Sequence, residues 1–186
     1  SPIVKRHPEL GRNRIGNARS FCPWSDVAER YLYESTHFIF SQVPHLGGMI
    51  NISHGERHTT CQSAVAATLN RRSSCPVCSQ KEPWENIYST LAPMAKGMHD
   101  ANPDAHFIAW FYMPQDEPLG DWVYELPKHC PEHVTMQFNF ESGVTRDVFG
   151  RGRRGADYWI STPGPSQRYE RLASFAKEAG TPMSAK

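Results

Sequence analysis

The sequence predicts an α/β chain in which strands alternate with helices, arranged as a partial (β/α)8 TIM barrel, its C-terminal half, with mainly parallel strands. Short apolar runs bounded by turn residues (GGMINIS, AHFIAWFYM, VTMQFNF) alternate with segments whose apolar residues step by three and four. Run 105–113 is apolar almost throughout, as expected of a parallel strand covered on both faces. A Rossmann-type sheet is the second architecture, but no G-x-G-x-x-G follows any strand.

Residues 1–23 are polar and rich in Arg, Asn and Pro, and read as a leading loop before a single barrel-type domain over 24–186. Ser25 is an N-cap, and Val27, Ala28, Tyr31, Leu32, Phe38, Ile39 and Val43 recur at helical spacing behind it. Residues 47–53 form the first strand. A long loop over 54–82 leads to Pro83, suited to the first position of a helix carrying Trp84, Ile87, Leu91, Met94 and Met98, with Pro93 expected to kink or shorten it. After the turn Asn102-Pro103-Asp104 come the second strand, a short helix near 121–126 and a third strand over 134–140. Residues 146–155 read as a Gly/Arg loop and 156–162 as a fourth extended segment. Pro165 opens a last helix that Gly180 stops, and 182–186 look like the start of a further strand. With no initial Met, the chain is expected to be a piece of a longer protein, completed by the remainder of the parent barrel.

The bulk numbers narrow the function classes. A hydrophobic content of 39% over 186 residues is enough for a real core. A net charge of +1 provides no global field toward nucleic acid or membrane, and no apolar run approaches the ~18 residues of a membrane span. The first twenty residues lack an apolar signal core.

In a parallel α/β protein the chemistry sits where strands end at their carboxyl side. The first strand exits into Ser53-His54-Gly55-Glu56-Arg57-His58. Glu56 is a candidate general acid or base; His54, Arg57 and His58 can bind hydroxyls or a carboxylate. The bland reading is a solvated loop with Glu56 paired to Arg57. Trp110 and Tyr112 share one face of the second strand, where aromatic surfaces can stack on sugar rings or simply pack a core. Asp116 and Glu117 read as a solvated turn. Glu141 follows the third strand, and two carboxylates across a barrel mouth are what glycosidic hydrolysis requires. Asp157 and Tyr158, beside Trp159, suit polyol recognition. The basic run Arg146, Arg151, Arg153, Arg154 is usually a solvated feature; overhanging the site, it would select an acidic or sulfated sugar.

Cys75-Pro76-Val77-Cys78 is half of a zinc site, with Cys61 in the same loop as a third ligand. Cys22 precedes the first helix, at the end of the barrel where that loop lies, whereas Cys130 precedes a strand at the opposite end; this favours Cys22 over Cys130 as the fourth ligand. Disulfides and free thiols are the other readings of these sulfurs. Redox chemistry is disfavoured, because the C-x-x-C does not open a helix after a first strand.

Four stretches, FCPWSDVAERYL, VPHLGGMINISHGE, CPVC and ADYWISTPGPS with the helix and the AK that follow, resemble a group of bacterial glycoside-hydrolase-like proteins related to the family 20 β-hexosaminidase barrel. The resemblance spans roughly residues 20–186 and rests on order and spacing. It implies that strand 47–53 is the barrel's fourth and that Glu56 matches the family's catalytic acid. Family 20 places an Asp before that Glu to orient the substrate's acetamido group; here the residue is Gly55. The expectation is a glycosidase with Glu56 and Glu141 as its carboxylates. The alternatives are a non-catalytic carbohydrate-binding barrel with a structural zinc loop, and a zinc-dependent hydrolase.

Overall fold

A computed structural model describes the chain apart from residues 1, 16–17, 114–117, 142 and 156–163 and the side chains at 15 and 18. The segment 156–162, with Asp157, Tyr158 and Trp159, and the turn holding Asp116 and Glu117 lie outside the described residues. The elements in order are α1 (Pro2–Arg6), β1 (Asn13–Ile15), β2 (Ala18–Ser20), α2 (Asp26–Gln42), β3 (Gly48–His54), α3 (Pro83–Ala101), β4 (His106–Phe111), α4 (Asp121–Glu125), β5 (Val134–Phe138), β6 (Thr145–Val148), β7 (Arg151–Arg154), α5 (Gln167–Ala179) and β8 (Met183–Ala185). The protein is mixed α/β, built on a four-stranded parallel sheet of order β3-β4-β5-β8.

The helices begin where their caps place them. Ser25 Oγ accepts the Ala28 N–H at the start of α2, and Ser166 Oγ accepts the Tyr169 N–H at the start of α5. Glu82 and Glu85 close a capping box on α3, with Pro83 in its first turn. Helix α3 runs through Pro93 to Ala101. The expected shortening does not occur: burial of Leu91, Ala95 and Met98 on either side of the proline holds both halves of the helix on one core. Gly97 is where α2 crosses: any Cβ there would meet the Tyr33 carbonyl. Gly180 ends α5 in the left-handed region, φ 71°.

One face of the sheet forms the core. Phe107, Ala109 and Phe111 of β4 and Val134, Met136 and Phe138 of β5 are buried with Ile87, Leu91 and Met98 of α3 and Leu172 of α5. Each such large side chain contributes roughly 1.5–3 kcal/mol by leaving water. The other face is more open. Ile50 and Ile52 are 59% and 38% exposed, and Ile108, Trp110, Thr135, Gln137 and Ser184 are half-buried.

Two stretches differ from their reading as loops. Within 1–23 lie α1, a 3-10 turn (Pro8–Gly11) and the β1–β2 hairpin, which pack the fully buried Leu10 toward Cys22. These elements are too short to show periodicity, and they are held by the cysteine cluster described below. Residues 145–154 form an antiparallel ribbon, β6–β7, whose two-residue turn places Phe149 (φ 54°) and Gly150 (φ 74°) in the left-handed region.

Candidate functional site

The carboxyl end of the sheet carries two neighbouring features, a polar-aromatic face and a cysteine cluster. Strand register aligns Ile52, Trp110, Gln137 and Ser184 in one row. One row further on, Tyr112, Asn139 and Lys186 extend the same faces of their strands. Trp110 and Tyr112 meet edge to face with ring centroids 5.0 Å apart. The Trp110 Nε1–H donates to Asn139 Oδ1 at 2.7 Å, and the Lys186 ammonium lies 5.0 Å over the Trp110 ring. The indole is thereby fixed in orientation while remaining half-buried, which leaves an apolar surface rimmed by polar groups. Neither Asn139 nor Lys186 was read as a site residue from the sequence; the parallel register brings them beside the tryptophan.

The exit of β3 is locked rather than loose. His54 is 3% exposed; its Nε2 bonds the Val65 carbonyl at 2.9 Å and its ring lies 5.4 Å from Trp122. The Tyr112 N–H donates to the His54 carbonyl at 2.9 Å. His54 therefore ties the strand to the long loop. Gly55 follows at φ +104°, and any Cβ there would overlap the Tyr112 carbonyl oxygen. Glu56, Arg57 and His58 are exposed beyond it, and among the described residues Glu56 makes no ion pair, with Arg57 or otherwise. Glu141 is half-buried in the turn after β5, where its carbonyl accepts the Val144 N–H. Glu56 and Glu141 thus stand at the exits of strands separated by β4, while Arg57 and His58 face solvent.

The four cysteines meet. The Sγ atoms of Cys22, Cys61, Cys75 and Cys78 all lie within 4.8 Å of one another, and all four residues are buried. Cys22 lies 3.7 Å from Cys78 and 3.8 Å from Cys75, sulfur to sulfur. A disulfide would bring two sulfurs to about 2.05 Å; these thiols are free. A tetrahedral metal with thiolate arms of about 2.3 Å has edges of about 3.8 Å. The donor set therefore fits a four-coordinate thiophilic ion such as zinc. Cys130 is apart, its Sγ against the Val134 carbonyl at 3.5 Å.

Local backbone structure builds the cluster. Phe21 bridges Thr60 in parallel, with Phe21 N–H to Thr59 O at 2.8 Å and Cys61 N–H to Phe21 O at 2.9 Å. That pairing places Cys22 beside Cys61. The Ser79 N–H bonds the Cys75 carbonyl at 2.9 Å, turning the C-x-x-C so that both sulfurs face inward. Arg12 Nη1 reaches Cys22 Sγ at 3.6 Å and the Trp24 carbonyl at 2.9 Å. Asn86, 1% exposed on α3, accepts the Trp24 indole N–H at 2.7 Å and donates to the Cys78 carbonyl at 2.9 Å. No spacing rule pointed to Arg12 or Asn86, because each acts through the fold on residues far away in sequence.

The electrostatics follow from the shared sulfurs. Hydrogen bonds from Cys61 and Cys78, then the Trp24 backbone and Arg12, hold the Cys22 thiol far below its ordinary range against the effect of burial. Hydrogen bonding to Cys22 is the main cause that raises Cys61 and Cys78. One thiolate is thus favoured and further ones are opposed, the situation a divalent cation reverses. Compared with protein families, curated proteins and solved structures, the chain matches none.

Proposed function

We propose that the chain is part of a carbohydrate-active (β/α)8 barrel, a glycoside hydrolase with Glu56 as general acid/base and Glu141 as its partner, whose β3–α3 loop is fastened by zinc on Cys22, Cys61, Cys75 and Cys78. The observation that carries this reading is the fixed Trp110–Tyr112 surface, with Asn139 and Lys186, at the carboxyl end of the sheet between the two glutamate-bearing exits. The parallel strands run in chain order, with the core helices packed against one face and the other left open; this supports a barrel wall over a doubly wound sheet, whose strand order reverses. Two strand spacings, about 10 Å, separate β3 from β5. Both carboxyls project from loops beyond those strands, and a separation of about 5–5.5 Å would mean retention whereas roughly 6.5–9.5 Å would mean inversion.

In this reading Glu56 protonates the glycosidic oxygen, Glu141 takes a proton from the attacking water, and Trp110 stacks on the sugar. Bound zinc would supply folding energy alone, because four thiolates leave no coordination position for a water. That disfavours a zinc-dependent hydrolase. The exposure of Glu56 is what favours the second reading, a non-catalytic carbohydrate-binding barrel.

The test is hydrolysis of a panel of chromogenic glycosides by the full-length parent of this chain and by its Glu56→Gln and Glu141→Gln variants, with folding checked by circular dichroism. A loss of about 10²–10⁴ in kcat for folded variants is expected. Turnover as fast as the parent's, or none on any substrate, sinks the catalytic assignment. Saturable sugar binding without turnover would bring forward the binding barrel.

A further inference from the structure

A cavity of about 560 Å³ opens where β5 hands over to α5. Arg146, Arg154 and Arg168 line it, with Thr145, Ser166 and Gln167. The three guanidinium-bearing residues come from three elements, β6, β7 and α5, so the fold rather than a local run of sequence gathers them. Arg168 is 4% exposed, its guanidinium 5.7 Å over the Phe138 ring, so packing fixes its course. The Nε of Arg146 is buried and has no hydrogen-bond partner among the described residues. The cavity lies on the carboxyl side of the sheet, since the Ser166 N–H bonds the Phe140 carbonyl at 2.8 Å just past β5. Glu141 sits in the same β5–α5 connection.

Guanidinium groups bind planar and tetrahedral oxyanions through paired N–H donors, and several around one cavity favour a ligand bearing negative charge. The volume suits a sugar-sized ligand. The positive end of the α5 dipole adds to the field without being needed for it. Arg151 and Arg153 of the same ribbon do not line the cavity.

We infer that this cavity is a subsite for an oxyanion substituent (sulfate, phosphate or carboxylate) carried by the sugar ligand. The inference rests on the carbohydrate reading above and names its substrate class. It makes Arg146, Arg154 and Arg168 specificity residues, acting on an anionic group of the ligand and not on the bond that breaks.

Calorimetric titration of the chain at low ionic strength tests it, using inorganic sulfate, inorganic phosphate, glucuronate, glucose 6-sulfate and plain glucose. Saturable binding of at least one oxyanion is expected, with glucose 6-sulfate or glucuronate tighter than glucose. Arg146→Gln and Arg154→Gln, read in parallel so that the result does not hang on one variant folding, should each weaken it about tenfold or more. Arg151→Gln should leave it unchanged. Sulfate and phosphate binding with glucuronate silent assigns the site to tetrahedral groups; the reverse assigns it to uronates. Absence of saturable oxyanion binding overturns the inference, as does an Arg151→Gln variant weakened as much as the cavity variants. Oxyanion binding without glycoside turnover leaves the subsite standing and removes the hydrolase; turnover without oxyanion binding does the opposite.

Discussion

Gly55 is held to glycine for a reason visible at the backbone. Its φ of +104° is rarely open to an L side chain, and a Cβ would overlap the Tyr112 carbonyl while β3 and β4 stay paired. An Asp cannot be accommodated there without parting the two strands. Gly55→Ala should lower stability by about 3 kcal/mol or more, whereas Gly47→Ala, with nothing within 4 Å of the added methyl, should be near neutral; urea unfolding midpoints compare them. Cys130 makes a second prediction at this scale. Burial pushes its thiol up to about 11 from an ordinary 9.0. The folded state therefore holds its proton over that window and the unfolded state does not, so this group's stability is intact below pH 9 and is lost as pH rises toward 11. Thermal melts from pH 8 to 11 should fall less steeply for Cys130→Ala than for the parent; parallel curves would contradict the assignment. His54 shows what a sequence conceals at single residues: a histidine at a strand exit suggests ligand binding, but burial under Trp122 and the bond to Val65 decide its role.

The elements divide by how they are held. Strands β3, β4 and β5 were legible because continuous apolar runs are what two covered or partly covered faces demand. Helices α2, α3 and α5 were legible from caps and spacing. The β6–β7 ribbon was not, because its residues are largely exposed and carry no alternating pattern. Its one local signal is Gly150 at the second position of the turn. The loop between β3 and α3 is different again, with few apolar residues of its own and a set of polar ties. Asn70 takes the Asp121 N–H at 2.6 Å at the start of α4, and Asn86 links Trp24 to Cys78. Asn86→Ala strands a half-buried indole N–H and the buried Cys78 carbonyl, so a loss of about 2–4 kcal/mol is expected. A melting temperature lowered by roughly 4–16 °C would show it. An unchanged melt would mean that water replaces the amide and that α3 does not support the cluster.

For the whole molecule, the prediction is one zinc ion per chain by elemental analysis after expression with zinc present, lost in Cys75→Ser and Cys78→Ser. Chelation or acidification should release it, since protons compete for the thiolates. Removal should expose residues 55–82 and the N-terminal hairpin to protease while amides of β4 and β5, at the centre of the main core, stay protected from exchange. Equal protease resistance with and without metal would argue that the thiols pack as a small core by themselves. The described residues contain no helix long and apolar enough to cross a membrane. The open sheet face, with Ile50 and Ile52 exposed, belongs at this scale too, since covering it requires further chain or a partner.

The sequence by itself determined the alternation of strands and helices, the caps, and the candidacy of four cysteines, because these depend on neighbours a few residues away and on the end of the sheet each loop must occupy. It did not determine what stands beside what. The Trp110–Asn139–Lys186 contact needs three strands in register, the arginine cavity needs α5 to bring Arg168 to a ribbon that sequence did not reveal, and the sulfur tetrahedron needs Phe21 to pair with Thr60. These bring together residues 14 to 76 positions apart, as from Arg154 to Arg168 or from Trp110 to Lys186. Only packing of the complete chain sets such distances, because no short-range propensity acts across them.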